Sequence, residues 1–322
     1  LERTKMKKIT IIAPMYNEEN LVSEYCEQVF KDLELLEKSY IIEILMINDG
    51  SKDNTWEKMN EMYEKYYPKI SLVNLSRNFG LEGAINAGLE KSTGDIVVVM
   101  DADLQDPPSV ILELVKKYEK GYDVVIAKRK KRESDTLFKK LSANLYYKIS
   151  DDLSGKLKLE RNAANFRLLS RKAVNELNKL EEKNKVFRVT VPFIGMKTAV
   201  IEYNRDQRFA GKTKYNLSRM IRYALDGITS VSIEPLRKIF SISIFSSMIT
   251  IILLILSIVN YREKMYILGF IIGFFSTMIL ISLTIIGEYV GQIMIESKKR
   301  PISIINEYKT PNSNKKIEGE GL

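Results

Sequence analysis

The sequence predicts an α/β fold in which a doubly wound parallel sheet carries a polar site at its carboxyl edge and is followed by two membrane-crossing helices. Three observations predict it. Short apolar runs alternate with amphipathic stretches of about 10–15 residues, the pattern of consecutive βα units. Two runs of 21 uncharged residues, 239–259 and 266–286, stand back to back. Between these regions, Val97-Val98-Val99-Met100 runs directly into Asp101-Ala102-Asp103-Leu104-Gln105-Asp106-Pro107-Pro108, a strand that ends in carboxylates.

Residues 9–14 read as a buried strand stopped by Pro14, and 20–36 as a helix with Leu21, Tyr25, Val29, Leu33 and Leu36 on one face. A second strand, 41–47, closes on the turn Asn48-Asp49-Gly50-Ser51-Lys52-Asp53, which offers several N-caps for a helix from Trp56 to Tyr66. Strand 70–75, helix 81–91 and strand 96–100 complete the units before the carboxylates. Helix 110–120 and strand 122–127 follow, the latter ending in the basic run Lys128 to Arg132. Further on come an aromatic-rich helix at 138–150, a strand-like stretch at 161–169, a helix at 171–180 and the Pro192- and Gly195-containing segment 187–201. A basic loop at 205–215 leads to an amphipathic stretch, 217–225, suited to the membrane interface.

Composition removes whole classes of chemistry. With no histidine among the 322 residues, Ser-His-Asp triads, His-ligated zinc and histidine general bases are excluded. The single cysteine, Cys26, gives no disulfide framework and reads as a buried structural thiol in a reducing compartment. No GxGxxG or Walker motif occurs. The net charge of +9 suits anionic lipid, phosphorylated substrates or nucleic acid without choosing among them.

Each uncharged run is about 30 Å long as helix, enough for the hydrocarbon core of a bilayer. Six residues, Asn260 to Met265, separate the two, which forces an antiparallel hairpin. Arg237 and Lys238 before it and Lys298-Lys299-Arg300 after it place both ends in the cytoplasm, although Arg262 and Lys264 weaken that bias. After Leu1 to Lys8 only a short, mostly apolar run precedes Tyr16-Asn17-Glu18-Glu19, too few residues for the apolar core of a signal peptide, so the front is expected in the cytoplasm and Met6 reads as a natural start. The expected domains are a cytoplasmic catalytic region at 1–215, amphipathic juxtamembrane helices at 216–238, the hairpin at 239–290 and a cytoplasmic tail at 291–322.

Alternation along a strand points Asp101 and Asp103 the same way. Two such carboxylates, with Gln105, suit a hard divalent cation, Mg²⁺ or Mn²⁺, whose open positions a diphosphate fills. A polar turn that merely caps the next helix is the competing reading of this string taken alone.

Five motifs together resemble one family. Pro14-Met15-Tyr16-Asn17-Glu18-Glu19, Asn48 to Asp53, Ser76-Arg77-Asn78-Phe79-Gly80, Asp101 to Pro108, and Arg208-Phe209-Ala210-Gly211-Lys212-Thr213-Lys214-Tyr215 occur in the order and spacing of family 2 inverting glycosyltransferases. Within it the chain is similar to the polyprenyl-phosphate branch, the dolichyl-phosphate mannosyltransferases and bactoprenol glucosyltransferases, over positions 8–300. The resemblance implies a GT-A fold, a Rossmann-like nucleotide-sugar domain, followed by a two-helix transmembrane hairpin. It implies that Pro14, Tyr16, Glu18, Asp49, Arg77, Asp101 and Ala102 bind the nucleotide-sugar donor. Asp101, Asp103 and Gln105 then hold Mg²⁺ or Mn²⁺, and Arg129, Arg205, Arg208 and Lys212 contact donor diphosphate or acceptor phosphate, with Asp103, Asn165 and Arg208 at the reaction centre. Implied partners are a UDP-sugar, undecaprenyl phosphate, the bilayer of a bacterial plasma membrane and other copies of the chain, with no nucleic acid. Gly269, Gly273 and Ser276 suit a close contact between membrane helices.

One position departs from the family. Immediately before Phe166-Arg167 the family carries an aspartate, its usual candidate for base or acceptor-orienting group, and here the residue is Asn165. An amide cannot take up a proton at neutral pH. Two readings stay open: a phosphate acceptor needs no base, or the chain is a weakened or inactive member serving as a membrane scaffold. The processive polysaccharide synthases of the same superfamily need a Gln-x-x-Arg-Trp motif, and the only tryptophan, Trp56, lies far upstream.

Overall fold

A computed structural model of the chain describes residues 6–130, 163–183, 185–205 and 264–311, with scattered positions between 236 and 255. Eight strands form one sheet in the order β7-β5-β6-β4-β1-β2-β3-β8. The first half is β1 (Lys7–Met15), α1 (Val22–Leu33), β2 (Tyr40–Asn48), α2 (Thr55–Lys65), β3 (Ile70–Leu75), α3 (Gly80–Lys91) and β4 (Ile96–Val99). The second is α4 (Val110–Glu119), β5 (Val124–Arg129), β6 (Ala163–Ser170), α5 (Arg171–Lys179), α6 (Phe187–Phe193), β7 (Thr198–Tyr203), α7 (Lys264–Ser297) and β8 (Ile305–Lys309).

The central strands read as near-continuous apolar runs because helices cover both faces. On one face Ile9, Ile11, Ile42, Ile44 and Val98 pack with Val22, Tyr25, Cys26, Val29 and Leu33 of α1 and with Leu114 and Val115 of α4. On the other, Ile12, Leu45, Val73, Val97 and Val99 meet Ala84, Ile85 and Ala87 of α3 and Val174 of α5. The α1 residues recur at the three-and-four spacing of a single helical stripe. Cys26 is buried beside Met46, and burial pushes its thiol up to about 12, so it is an inert packing group. Gly88 brings α3 against β1: a Cβ there would stand 2.4 Å from Cγ2 of Ile12. Ser170 caps α5, its hydroxyl accepting from the Ala173 amide.

The sheet is mixed rather than wholly parallel. β1 pairs in parallel with β2 and β4, β2 with β3, and β5 with β7, but β6 runs antiparallel between β4 and β5. Apolar periodicity specifies a strand without its direction, which the connection sets, and the connection into β6 lies outside the described residues. A second difference concerns 291–322. Residues 305–309 of that expected tail form β8, antiparallel to β3, and close an edge that would otherwise present unpaired backbone groups. Segment 187–201 divides into a short helix and a strand, broken near Gly195, whose φ is +64°.

Two compact units divide the chain, one holding the sheet and the other holding 136–158 and 216–300. In the second, α7 is 34 residues long. Its stretch Leu268–Ser297, mean hydropathy 2.3 and without buried residues, is long and apolar enough to cross a membrane, and is the one such helix among the described residues. The first expected span, 239–259, falls largely outside them, as do 216–235 and the helix expected at 138–150.

Candidate active site

Strands β1, β2, β3 and β4 all end on the same edge of the sheet, the edge where open α/β sheets hold ligands. Three of the loops leaving it are tied together. The Asp49 amide donates to Met15 O at 2.9 Å, Asn17 N to Ser51 Oγ at 3.0 Å and Glu18 N to Thr55 Oγ1 at 2.9 Å. Gly50, at φ +63°, lets the β2 turn pass so close to Arg77 that a Cβ would stand 2.3 Å from its carbonyl carbon. Asp49 accepts from the amides of Phe79 at 2.7 Å and Gly80 at 3.0 Å, capping α3. Burial pushes its carboxyl up to about 6, against the opposing pull of those amides and of Arg77. Arg77 is exposed, its guanidinium 4.1 Å from the Phe79 ring.

The carboxylate loop begins where Met100 N donates to Ile12 O. Leu104 takes φ +54°, a left-handed conformation rare for a residue with a branched side chain, and turns the loop so that Asp103 Oδ1 accepts from the Gln105 amide at 3.1 Å. Asp101 Oδ1 is shielded from solvent and has no hydrogen-bond partner. Burial, then the neighbouring Asp106 and Asp103, push the Asp101 carboxyl up to about 6, opposed by Arg188 and Arg129. A buried carboxylate oxygen left unpaired beside further acids is what a cation would satisfy, so Asp101, Asp103 and Gln105 fit Mg²⁺ or Mn²⁺. Among the described residues no three acidic, histidine or cysteine groups are close enough to form a complete protein cage. The remaining ligands would therefore come from substrate and water.

Asp106 is the hub of the site. It is wholly buried and accepts from Arg129 Nη2 at 2.9 Å and Nε at 3.3 Å, and from the Tyr203 hydroxyl. Arg205 places Nε 3.5 Å from Asp106 Oδ1 and Nη2 3.7 Å from Asp103 Oδ2. The Asp106 carboxylate thus binds β5 and β7 to the loop after β4. On the β6 side, the register pairs Val99 with Arg167. Asn165 lies two residues before Arg167 on the same strand. Asn165 is 1% exposed, and its Oδ1 accepts from Nε of Arg188 on α6 at 3.0 Å.

The family model for glycosyl transferase family 2 matches residues 10–178. The chain belongs to that family. It is 37% identical over 307 residues to an uncharacterised glycosyltransferase of Bacillus subtilis (strain 168), covering 92% of this chain and 93% of the relative. It is also 37% identical over 310 residues to a prophage bactoprenol glucosyl transferase homolog of Escherichia coli (strain K12), covering 94% and 99%. Among solved structures, a mannosyltransferase of Pyrobaculum calidifontis in complex with GDP-Man and Mn²⁺ aligns with TM-score 0.47 at 18% identity, over 70% of this chain and 64% of that one.

The sheet domain of this family 2 glycosyltransferase has a mixed α/β, GT-A-like fold. Of the residues expected at the site, Pro14 lies near the end of β1, Tyr16, Glu18, Asp49 and Arg77 lie on the three joined loops, and Asp101, Ala102, Asp103 and Gln105 on the fourth. Arg129 and Arg205 reach the same loop but spend their charge on its carboxylates. Arg208 and Lys212 lie outside the described residues. Sequence reasoning missed three participants: Asp106, Tyr203 and Arg188. Asp106 was visible as a third carboxylate ahead of two prolines. Tyr203 and Arg188 carry no local signal, because only the sheet order brings β7 and α6 to this edge.

Proposed function

We propose that the protein moves one sugar from a nucleotide sugar to undecaprenyl phosphate on the cytoplasmic leaflet of a bacterial plasma membrane, inverting the anomeric centre. UDP-glucose is the favoured donor, ahead of UDP-GlcNAc and UDP-galactose. The product would serve modification of a cell-envelope glycan. The carrying observation is the buried amide of Asn165 on β6, the strand paired with β4, at a position where a carboxylate base would be needed to deprotonate an alcohol. A phosphate monoester has its second pKa near 6 and is mostly dianionic at pH 7, so it attacks without a base. Its oxygen forms the bond to the anomeric carbon as the bond from that carbon to the diphosphate breaks, and the nucleoside diphosphate leaves with the electron pair. Full-length similarity to a bactoprenol glucosyl transferase homolog supports the acceptor.

The chain's residues divide the work. The β1, β2 and β3 loops take the nucleoside, with Asp49 and Arg77 beside it. Asp101, Asp103 and Gln105 would hold Mg²⁺ or Mn²⁺, which when bound supplies Lewis acidity to the leaving diphosphate. Asp106 keeps Arg129, Arg205 and Tyr203 fixed around that loop.

The apolar character of α7 supports membrane attachment. β7 precedes the apolar region and β8 follows it, yet both belong to one sheet. The chain therefore enters and leaves the bilayer on one side, which favours an even number of crossings and hence the hairpin of 239–259 with 266–286.

The test is transfer from radiolabelled UDP-sugars to undecaprenyl phosphate in membranes, with and without Mn²⁺. Lipid-extractable label is expected. No lipid-linked product with any donor would instead favour an inactive membrane scaffold of the same fold. Asp101→Ala is expected to abolish metal-dependent UDP binding.

A further inference from the structure

Three arginines border the carboxylate loop, and their surroundings differ. Arg129 forms an ion pair with Asp106 at 2.9 Å, and Arg205 stands 3.5 Å from Asp106 and 3.7 Å from Asp103. Their charge is matched inside the protein. Arg188 is exposed, and its Nε is satisfied by a neutral amide, Asn165 Oδ1 at 3.0 Å. Among the described residues no ion pair is formed by it, and its charge acts on the Asp101 carboxyl from beyond ion-pair distance.

The partner's chemistry fixes its orientation. An arginine Nε only donates, so Asn165 must turn its oxygen toward Arg188 and its Nδ2 away. That Nδ2 is buried and has no partner among the described residues. A buried donor left unpaired costs about 1–3 kcal/mol unless a ligand or water meets it. An aspartate of the same shape would accept the same Arg188 hydrogen bond, but it would neutralise the guanidinium and present an anionic oxygen where the amide presents a donor.

We propose that Arg188 and Asn165 Nδ2 together bind a phosphate oxygen of the substrates, and that the amide at 165 is what leaves the arginine's charge available for it. Arg188 is thereby the phosphate-binding cation at this edge, in place of Arg129 and Arg205. Fork-shaped guanidinium donors beside an amide N–H suit a phosphate, which accepts on several oxygens at once. The oxygen belongs either to the donor's diphosphate or to the acceptor's monophosphate. The inference rests on the reading of the substrates given above.

The full chain in detergent is titrated with three probes: UDP with Mn²⁺, undecaprenyl phosphate in micelles, and inorganic pyrophosphate with Mn²⁺. Arg188→Met is expected to weaken at least one by tenfold or more. Loss on the UDP and pyrophosphate arms assigns the donor's diphosphate, and loss confined to the lipid arm assigns the acceptor. Asn165→Asp is expected to weaken the same arm at least threefold, with its melting temperature unchanged or raised. Should Arg188→Met not fold, Arg188→Gln and Asn165→Asp carry the test. Unchanged affinities in the arginine variant, or an Asn165→Asp protein that binds as tightly as wild type, overturn the proposal. Wild type that binds pyrophosphate but neither UDP nor the lipid sinks the substrate reading alone, and the pyrophosphate arm still decides the role of Arg188. Wild type that binds none of the three overturns the proposal as well.

Discussion

Asp106, with no exposed surface, receives the Arg129 guanidinium on both carboxylate oxygens, Nη2 on Oδ2 at 2.9 Å and Nε on Oδ1 at 3.3 Å. Removing one partner of a buried pair leaves the other charge uncompensated, at a cost of about 3–5 kcal/mol. Asp106→Asn is therefore expected to lower stability by about 3 kcal/mol, read as a fall in melting temperature. Tyr203→Phe, which removes one neutral donor to the same carboxylate, is expected to cost about 1 kcal/mol.

Asp49 gives stability a pH dependence of definite sign. Its carboxyl titrates at about 6 in the fold, with burial the main cause, against about 3.9 in an unfolded chain. Between those values the unfolded state releases its proton first, so this residue's contribution falls as pH rises and is constant above about 6. Denaturant midpoints of wild type minus those of Asp49→Asn, taken from pH 4 to 7.5, should decline across that window. A flat or rising difference would show that the carboxyl is not raised.

Gly88 and Ile12 should be energetically coupled. A methyl at Gly88 meets Ile12 Cγ2 at 2.4 Å and Cδ1 at 3.2 Å, and Ile12 is fully buried. Overpacking of this kind costs about 1–3 kcal/mol. Gly88→Ala is expected to destabilise by that amount, and Gly88→Ala with Ile12→Ala by less than the sum of the singles. Additive losses in chemical denaturation would contradict the close approach of α3 to β1.

β8 protects β3. Ending the chain after Arg300 removes the partners of Leu72, Val73 and Asn74 and exposes their backbone groups. The truncated protein is expected to melt at lower temperature and to form larger species at rising concentration, seen by size-exclusion chromatography in detergent.

Much of the fold is legible in the sequence because each βα unit announces itself locally. The Val97 to Met100 run and the α1 stripe Val22, Tyr25, Cys26, Val29 and Leu33 fall where periodicity puts them. Strand direction is not local, and β6 is antiparallel although its residues read like those of β5. β8 is five residues long with a half-buried, mixed pattern, too short for periodicity to separate it from a polar tail. At the site, Asp101, Asp103 and Gln105 were readable because they share one loop. The ties of Asp106 to Tyr203, 97 positions away, and of Asn165 to Arg188 come from sheet order and helix placement. Charge matching was equally hidden: Arg129 and Arg205 look like free phosphate ligands in the sequence, and Asp106 holds both.

The place of β8 in the chain also orders the protein's manufacture. A ribosome delivers β1 through β7 first, then the apolar segment containing α7, and only then residues 305–309. The nascent sheet thus waits with its β3 border unfinished until the apolar segment has left the exit tunnel. A chain arrested in α7 holds all the carboxylate loop yet remains one strand short. Completion of the sheet therefore follows synthesis of the long apolar helix.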